Sequence, residues 1–322
     1  MDDGKALSVS DNDASQVHAN VGMVASAEVA RLMRLATYAS VSVAGVLIVT
    51  KIVAWILTDS VSLLSTLIDS LLDAAASMIN LVAVRHALQP ADDEHRFGHG
   101  KAEPLAALAQ SGFIVGSALF LMIEAGERVV NPTTISNASV GYGVMVFSII
   151  VTVLLVAFQR YVVGKSGSVA ISADSLHYQT DVLINASVLV SIFLASELGF
   201  TVADPLFAIG IALFIVHTAW KIGLKALDIL MDHELPDEDR RRIVDIACAQ
   251  DGVDGVHDLR TRSSGTQVFI QMHLEMDGDM TLRQAHEIAD VVEIEVGAAF
   301  PSAEVIVHQD PEGVEDVERE HS

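Results

Sequence analysis

The sequence predicts an all-α bundle of six membrane-spanning helices followed by a small α+β domain, and three observations carry that expectation. Of 322 residues, 51% are hydrophobic and only 19% charged, with a mean hydropathy of +0.45, too apolar for one soluble domain. Windows of about 20 apolar residues, the length that crosses a bilayer, recur six times. After Leu227 these windows stop, and short amphipathic and alternating segments take their place.

Residues 1–30 open with MDDGKALSVSDNDASQVHAN, which lacks the basic start and apolar run of a cleavable signal peptide and reads as a polar, mostly disordered acidic tail. The transmembrane domain is expected over 31–230, with spans near Leu32–Leu57, Val61–Leu88, Leu105–Glu127, Ser139–Val163, Ala173–Leu198 and Pro205–Leu227. Lys51 is a charge within the first span and is expected to snorkel toward an interface. If the spans alternate, Arg31, Arg34, Arg85, Arg96, Lys101, Arg160, Lys165, Lys221, Lys225 and Arg240–Arg242 fall on one side. The opposite loops, such as 58–60 and 197–204, are short and carry little beyond Arg128, so the positive-inside rule places both termini in the cytoplasm.

The cytoplasmic domain is expected over 231–311. DHELPDEDRRRIVDIACAQ reads as a connector and a helix with Pro236 at its start and Ile243, Ile246 and Ala247 on one face. VHDLRTRSSGTQVFIQMHLEM reads as two strands around a Ser-Ser-Gly turn, the second with Val268, Ile270, Met272 and Leu274 alternating against polar partners. TLRQAHEIADVVEIEVGAAF is a second helix opened by Thr281, and AEVIVHQDP a last strand stopped by Pro311. The order α-β-β-α-β is that of a metallochaperone-like domain, two helices on a three-stranded sheet. Residues 312–322 are expected to be an acidic, unstructured tail.

The net charge of −23 argues against nucleic acid as a partner, because little on this surface could neutralise phosphates. Cys248 is the only cysteine, which excludes an intrachain disulfide and a thiolate cluster. Any metal site must be built from His, Asp and Glu.

Such residues stand where they are most costly. Asp69 and Asp73 lie four apart in the second span, and His177 and Asp181 four apart in the fifth, so each pair shares one helix face. Structural pairing within the bundle explains one such residue more easily than four, because ionisable groups at that depth are expensive. Three carboxylates and an imidazole make a cage for a divalent transition metal. Two carboxylates in adjacent turns repel, so protons and metal compete for them, and that competition outlines a transport cycle. In the loop QPADDEHRFGHGKAEP, Asp92, His95 and His99 are spaced to gather on one cation, with Gly98 and Gly100 permitting a sharp backbone around His99. In the last domain, His308 and Asp310 face the same way on a strand, His273 lies on another strand, His286 on a helix and His257 before the first strand, a third candidate cluster. His18, His86, His217, His233 and His321 read as structural or solvated.

With these motifs in place, residues 30–311 resemble the cation diffusion facilitators, and most closely their bacterial zinc and ferrous-iron efflux branch. The resemblance rests on the DxxxD of Asp69 and Asp73, the HxxxD of His177 and Asp181, the loop PADDEHRFGHGKAE and the ending VIVHQDP. It implies a non-enzymatic efflux transporter in the bacterial inner membrane, a homodimer whose cytoplasmic domains pack together, moving Zn²⁺, with Fe²⁺, Cd²⁺ or Mn²⁺ as further cargo, against protons. It also implies a transport site of Asp69, Asp73, His177 and Asp181, a loop site of Asp92, His95 and His99, and a binuclear cytoplasmic site of His257, His273, His286, His308 and Asp310, with zinc both cargo and structural ion. Lys101 and Asp232 read either as an ion pair between protomers or as ordinary boundary charges.

Three other classes compete with this reading. An intramembrane aspartyl protease needs a motif such as GxGD, and a nucleotide-driven pump needs GxxxxGK[ST]; neither motif occurs. A membrane-bound metal sensor without transport would use the cytoplasmic cluster but needs no cage inside the bilayer.

Overall fold

The computed structural model describes residues 11–58, 61–130, 139–198 and 203–313, with the side chains of the first helix described from Ala27 onward. Residues 59–60 and 199–202 of the expected loops and 314–322 of the expected tail therefore lie outside the described residues, as does the Arg128 side chain. Contacts separate a helical unit, Val29–Met231, from an α+β unit that starts at Asp232.

Six long helices make the first unit: α1 Asp11–Thr58, α2 Val61–Ala87, α3 Ala102–Val130, α4 Ser139–Ser166, α5 Val169–Leu198 and α6 Ala203–Leu230. Five of them, all but α5, contain windows apolar and long enough to span a bilayer among the described residues. The described side chains of α5 lie mostly in its first half, which carries Asp174, His177, Gln179 and Asp181 and whose first turns are buried. At 30 residues the helix is about 45 Å long, ample to cross. Helix α1 begins at Asp11, inside the stretch expected to be disordered; the Ala- and Val-rich run without proline there favours a continuous helix.

The bundle is apolar on its outside, where Phe120, Ile123, Leu154 and Trp220 are exposed, and polar residues are folded inward. Helix α3 lies along α6, and α5 touches α2, α3, α4 and α6. Small residues allow the α3–α6 approach: Ala107, Ser111 and Ala118 on one helix meet Ala212, Ala219, Gly223 and Ala226 on the other. Gly167, at φ 65, ends α4 by accepting no further helical turn, and Ser168 caps α5 by receiving the Ile171 N–H on its Oγ at 3.1 Å. Glu103 of α3, buried, takes the Ala170 N–H at 3.4 Å, a carboxyl placed at the positive end of α5.

The α+β unit comprises α7 Asp237–Cys248, β1 Gly255–Ser264, β2 Gln267–Met276, α8 Leu282–Ala299 and β3 Ala303–Pro311, the element order the sequence predicts. The sheet runs β1-β2-β3, with β1 antiparallel and β3 parallel to β2. Gly265, at φ 62, takes the first position of the two-residue hairpin loop, as a II′ turn requires. Ile270, Met272, Leu274 and Met276 alternate into a core closed by Ile243 and Ala247 of α7 and Val292 and Val296 of α8. Thr281 opens α8 through a reciprocal capping box with Gln284.

Candidate metal centre

Helices α2 and α5 bring three of the four intramembrane candidates together. His177 Nε2 lies 2.9 Å from Asp73 Oδ1, and ligand atoms of Asp73, His177 and Asp181 all lie within 4.8 Å of one another. His177 is 7% exposed, enclosed by the Tyr178 and Phe113 rings at 5.7 and 6.3 Å between centroids. Two carboxylates and one imidazole supply three of the donors that a tetrahedral divalent ion takes. Asp69 does not join that group: it stands one turn before Asp73, on an exposed part of α2.

Lys51 reaches across to α2. Its ammonium donates to Ser70 Oγ at 2.6 Å and to the Thr66 carbonyl at 3.0 Å on α2, close enough to feel the charges of Asp181, Asp73 and Asp69.

One further carboxyl belongs to this region, and the sequence reading passed over it. Asp174, one turn before His177 on α5, is 1% exposed and accepts hydrogen bonds from four other helices. Its donors are Ser40 of α1 at 2.6 Å, Ser77 of α2 at 3.4 Å, Gln110 of α3 at 3.3 Å and Gln159 of α4 at 2.7 Å. Tyr178 joins the layer through Ser77 at 2.9 Å and the Ser40 carbonyl at 3.3 Å. Ser77 follows Asp73 by one turn, so this polar layer sits directly against the three-donor group on both α2 and α5. The signal that flagged His177 and Asp181, an ionisable group inside an apolar segment, was equally present at Asp174.

The loop between α2 and α3 gathers Asp92, His95 and His99, with ligand atoms again within 4.8 Å. Asp92 Oδ1 accepts the His95 and Glu94 backbone N–H groups at 2.6 and 3.0 Å, and His99 Nε2 lies 3.3 Å from Asp92 Oδ2. Gly98 adopts φ 75, the left-handed conformation that turns the chain back to seat His99. The His95 backbone N–H, and then that of Glu94 and the His95 ring, hold the Asp92 carboxyl below its ordinary value. The sign follows: the loop geometry is stabilised above the ordinary carboxylate value, near 3.8, and loses that stabilisation as pH falls through the lower folded value. The Asp92 carboxyl carbon and the backbone amides of Glu94 and His95 are therefore expected to keep their folded NMR shifts as pH falls to the ordinary carboxylate value near 3.8 and to lose them only below it.

In the α+β unit the strands line up a row of imidazoles, His257 opposite His273 and His273 opposite His308, with ring centroids 5.2 and 4.7 Å apart. Asp310 is their common partner, at 2.7 Å from His273, 3.1 Å from His308 and 3.3 Å from His257. A β-bulge after His257 puts Asp258 at φ 44 and aims it at the row, 3.8 Å from His273, while Glu275 adds a carboxylate 3.2 Å from His257. Arg260 grips Asp258 through two hydrogen bonds and holds its carboxyl below the usual range. His286 is not brought to this row; exposed on α8, it pairs with Asp290 at 3.5 Å in the next turn. Lys101 donates to the Leu230 carbonyl at 3.3 Å, and Asp232 lies 3.5 Å from Arg262.

Comparison with known proteins matches residues 37–231 to the family described as cation efflux transmembrane domain and residues 235–312 to that described as cation efflux protein, cytoplasmic domain. The cation-efflux pump FieF of Salmonella paratyphi A is 51% identical over 281 residues, 87% of this chain and 93% of that protein. FieF of Salmonella choleraesuis is similar to the same extent. Among solved structures, a nickel form of the MamM CTD is 31% identical over 24% of this chain and 98% of its own, with a TM-score of 0.23.

Proposed function

This chain belongs to the cation efflux family, multi-pass membrane transporters and not enzymes, and on that premise we propose that it exports Zn²⁺ from the cytoplasm in exchange for protons. The observation that carries this reading is the convergence of Asp73, His177 and Asp181 from two apolar helices onto a volume the size of one ion. Donors buried there are costly unless a cation or protons occupy them. Asp69, one turn away, completes a tetrahedral shell when α2 turns it inward. Protons returning to the same carboxylates release the ion, so metal and protons alternate on one set of atoms.

The imidazole of His177 favours zinc over ions that prefer oxygen alone, while Fe²⁺, Cd²⁺ and Mn²⁺ remain within the chemistry of the donor set. Alternating access comes from rocking of helices about a site that stays at mid-membrane. The termini and the α+β unit lie in the cytoplasm of a bacterial inner-membrane protein, the reading that the excess of Lys and Arg in alternate loops supports. The α+β units of two copies pair. The row His257, His273, His308 and Asp310 holds structural zinc there, and Asp92, His95 and His99 hold a further zinc.

The test is zinc uptake into sealed proteoliposomes under an imposed pH gradient. Zinc is expected to accumulate with the gradient and to stop when an ionophore dissipates it, and Asp181→Ala is expected to remove the gradient-driven component. Equal uptake with and without the gradient would end the proton-coupled reading; parental uptake by Asp181→Ala would end the site assignment.

A further inference from the structure

We propose that His86 is a fourth ligand of the loop metal site, completing Asp92, His95 and His99 with an imidazole from the end of α2; the inference rests on reading that loop as a divalent-metal site. The sequence offers no spacing that points to it, because His86 belongs to a helix and the other three to the loop beyond a proline.

The geometry points there from three directions. The His86 ring stands edge-on to His99 with centroids 4.5 Å apart, the same separation as between His99 and His95, which the loop does gather. His99 is 8% exposed and its Nδ1 is buried with no hydrogen-bond partner among the described residues. Metal-binding imidazoles normally have their second nitrogen held, so a bare buried nitrogen beside another imidazole is the mark of an incomplete site. Finally, Asp92, His95 and His99 supply three donors, and a closed structural zinc site takes four.

Position adds a reason. His86 lies in the last turn of α2, where the helix presents the negative end of its dipole and a cation is favoured. Its side chain is exposed, so the ring is free to rotate onto an ion that the loop already holds. Coordination by His86 would pin the end of α2 to the loop, and α2 is the helix that carries Asp73. An ion at the loop would thereby fix the end of one wall of the transport site.

The experiment isolates the loop in the full-length chain by removing the other donors with Asp181→Ala, His273→Ala and Asp310→Ala. Zinc-edge X-ray absorption counts imidazoles on the bound ion, and competition with a chromogenic chelator gives affinity. Three imidazoles and one carboxylate are expected, falling to two imidazoles with at least a tenfold weaker affinity in H86A, while H86C restores four-coordinate binding with one sulfur. His95→Ala serves as the control on the site itself and is expected to abolish binding. Two imidazoles in both the parent and H86A would overturn the proposal, whatever the affinity, by making His86 a bystander or an orienting neighbour. Parental affinity in His95→Ala would overturn the loop-site reading instead.

Discussion

Asp73→Ala is expected to abolish zinc transport in proteoliposomes, whereas Asp69→Ala is expected to leave a measurable fraction of it. The two aspartates are equivalent in sequence, four residues apart on one face of α2, but the fold separates them. Asp73 bonds His177 at 2.9 Å and shares a donor set with Asp181, while Asp69 stands outside that set. Removing Asp73 deletes one of three preassembled ligands and frees the His177 ring from the carboxylate that orients it. The loss in metal affinity should exceed the ~10–100-fold that orienting partners are worth. Removing Asp69 deletes a donor that must first be carried inward, and a water can take its place, so a loss within about 10–100-fold is expected. Metal-dependence curves of initial rate for the two variants check this. An Asp69→Ala loss as complete as that of Asp73→Ala would mean that the assembled three-donor group is not the set that binds the ion.

Asp174→Ala is expected to destabilise the bundle by at least ~3 kcal/mol, the scale of leaving buried hydrogen-bonding groups without their acceptor. Four donors from α1, α2, α3 and α4 converge on that carboxyl, and alanine leaves them facing a void that no water readily enters from lipid. Asp174→Asn keeps the shape and one acceptor oxygen but turns an amide donor toward a Ser or Gln donor, so a smaller cost of about 1–3 kcal/mol is expected. Denaturant midpoints in one detergent, read on both variants and the parent, give the comparison. Because the layer sits against the His177 turn, the alanine variant should also transport more slowly at saturating zinc, in proportion to the fraction of misaligned α5. A parental midpoint in Asp174→Ala would show that the layer does not hold the bundle together.

Much of the architecture was readable before any coordinates. The run VHDLRTRSSGTQVFIQMHLEM shows its hairpin because alternation and a glycine at the turn are local properties, and Thr281 announces α8 for the same reason. Spacing of four likewise put His177 and Asp181 on one face of α5. The partners of Lys51, Ser70 and the Thr66 carbonyl, are not legible in the same way, because they lie on a neighbouring helix and no pattern along α1 points to them. Asp174 is not legible in this way either, because it finds its partners on other helices rather than one turn along its own.

By itself the sequence determined the approximate places of the apolar helices, the order of the α+β elements and the residue types able to hold a metal, since hydropathy and periodicity act over a turn or a strand. Only the tertiary structure decided that Asp73 meets a histidine 104 residues away while Asp69 does not, that four helices donate to Asp174, and that His86 stands beside His99 while His286 pairs with Asp290. Those outcomes depend on how far each helix is rotated about its axis, and rotation is set by packing against neighbours distant in the chain, which no local pattern encodes.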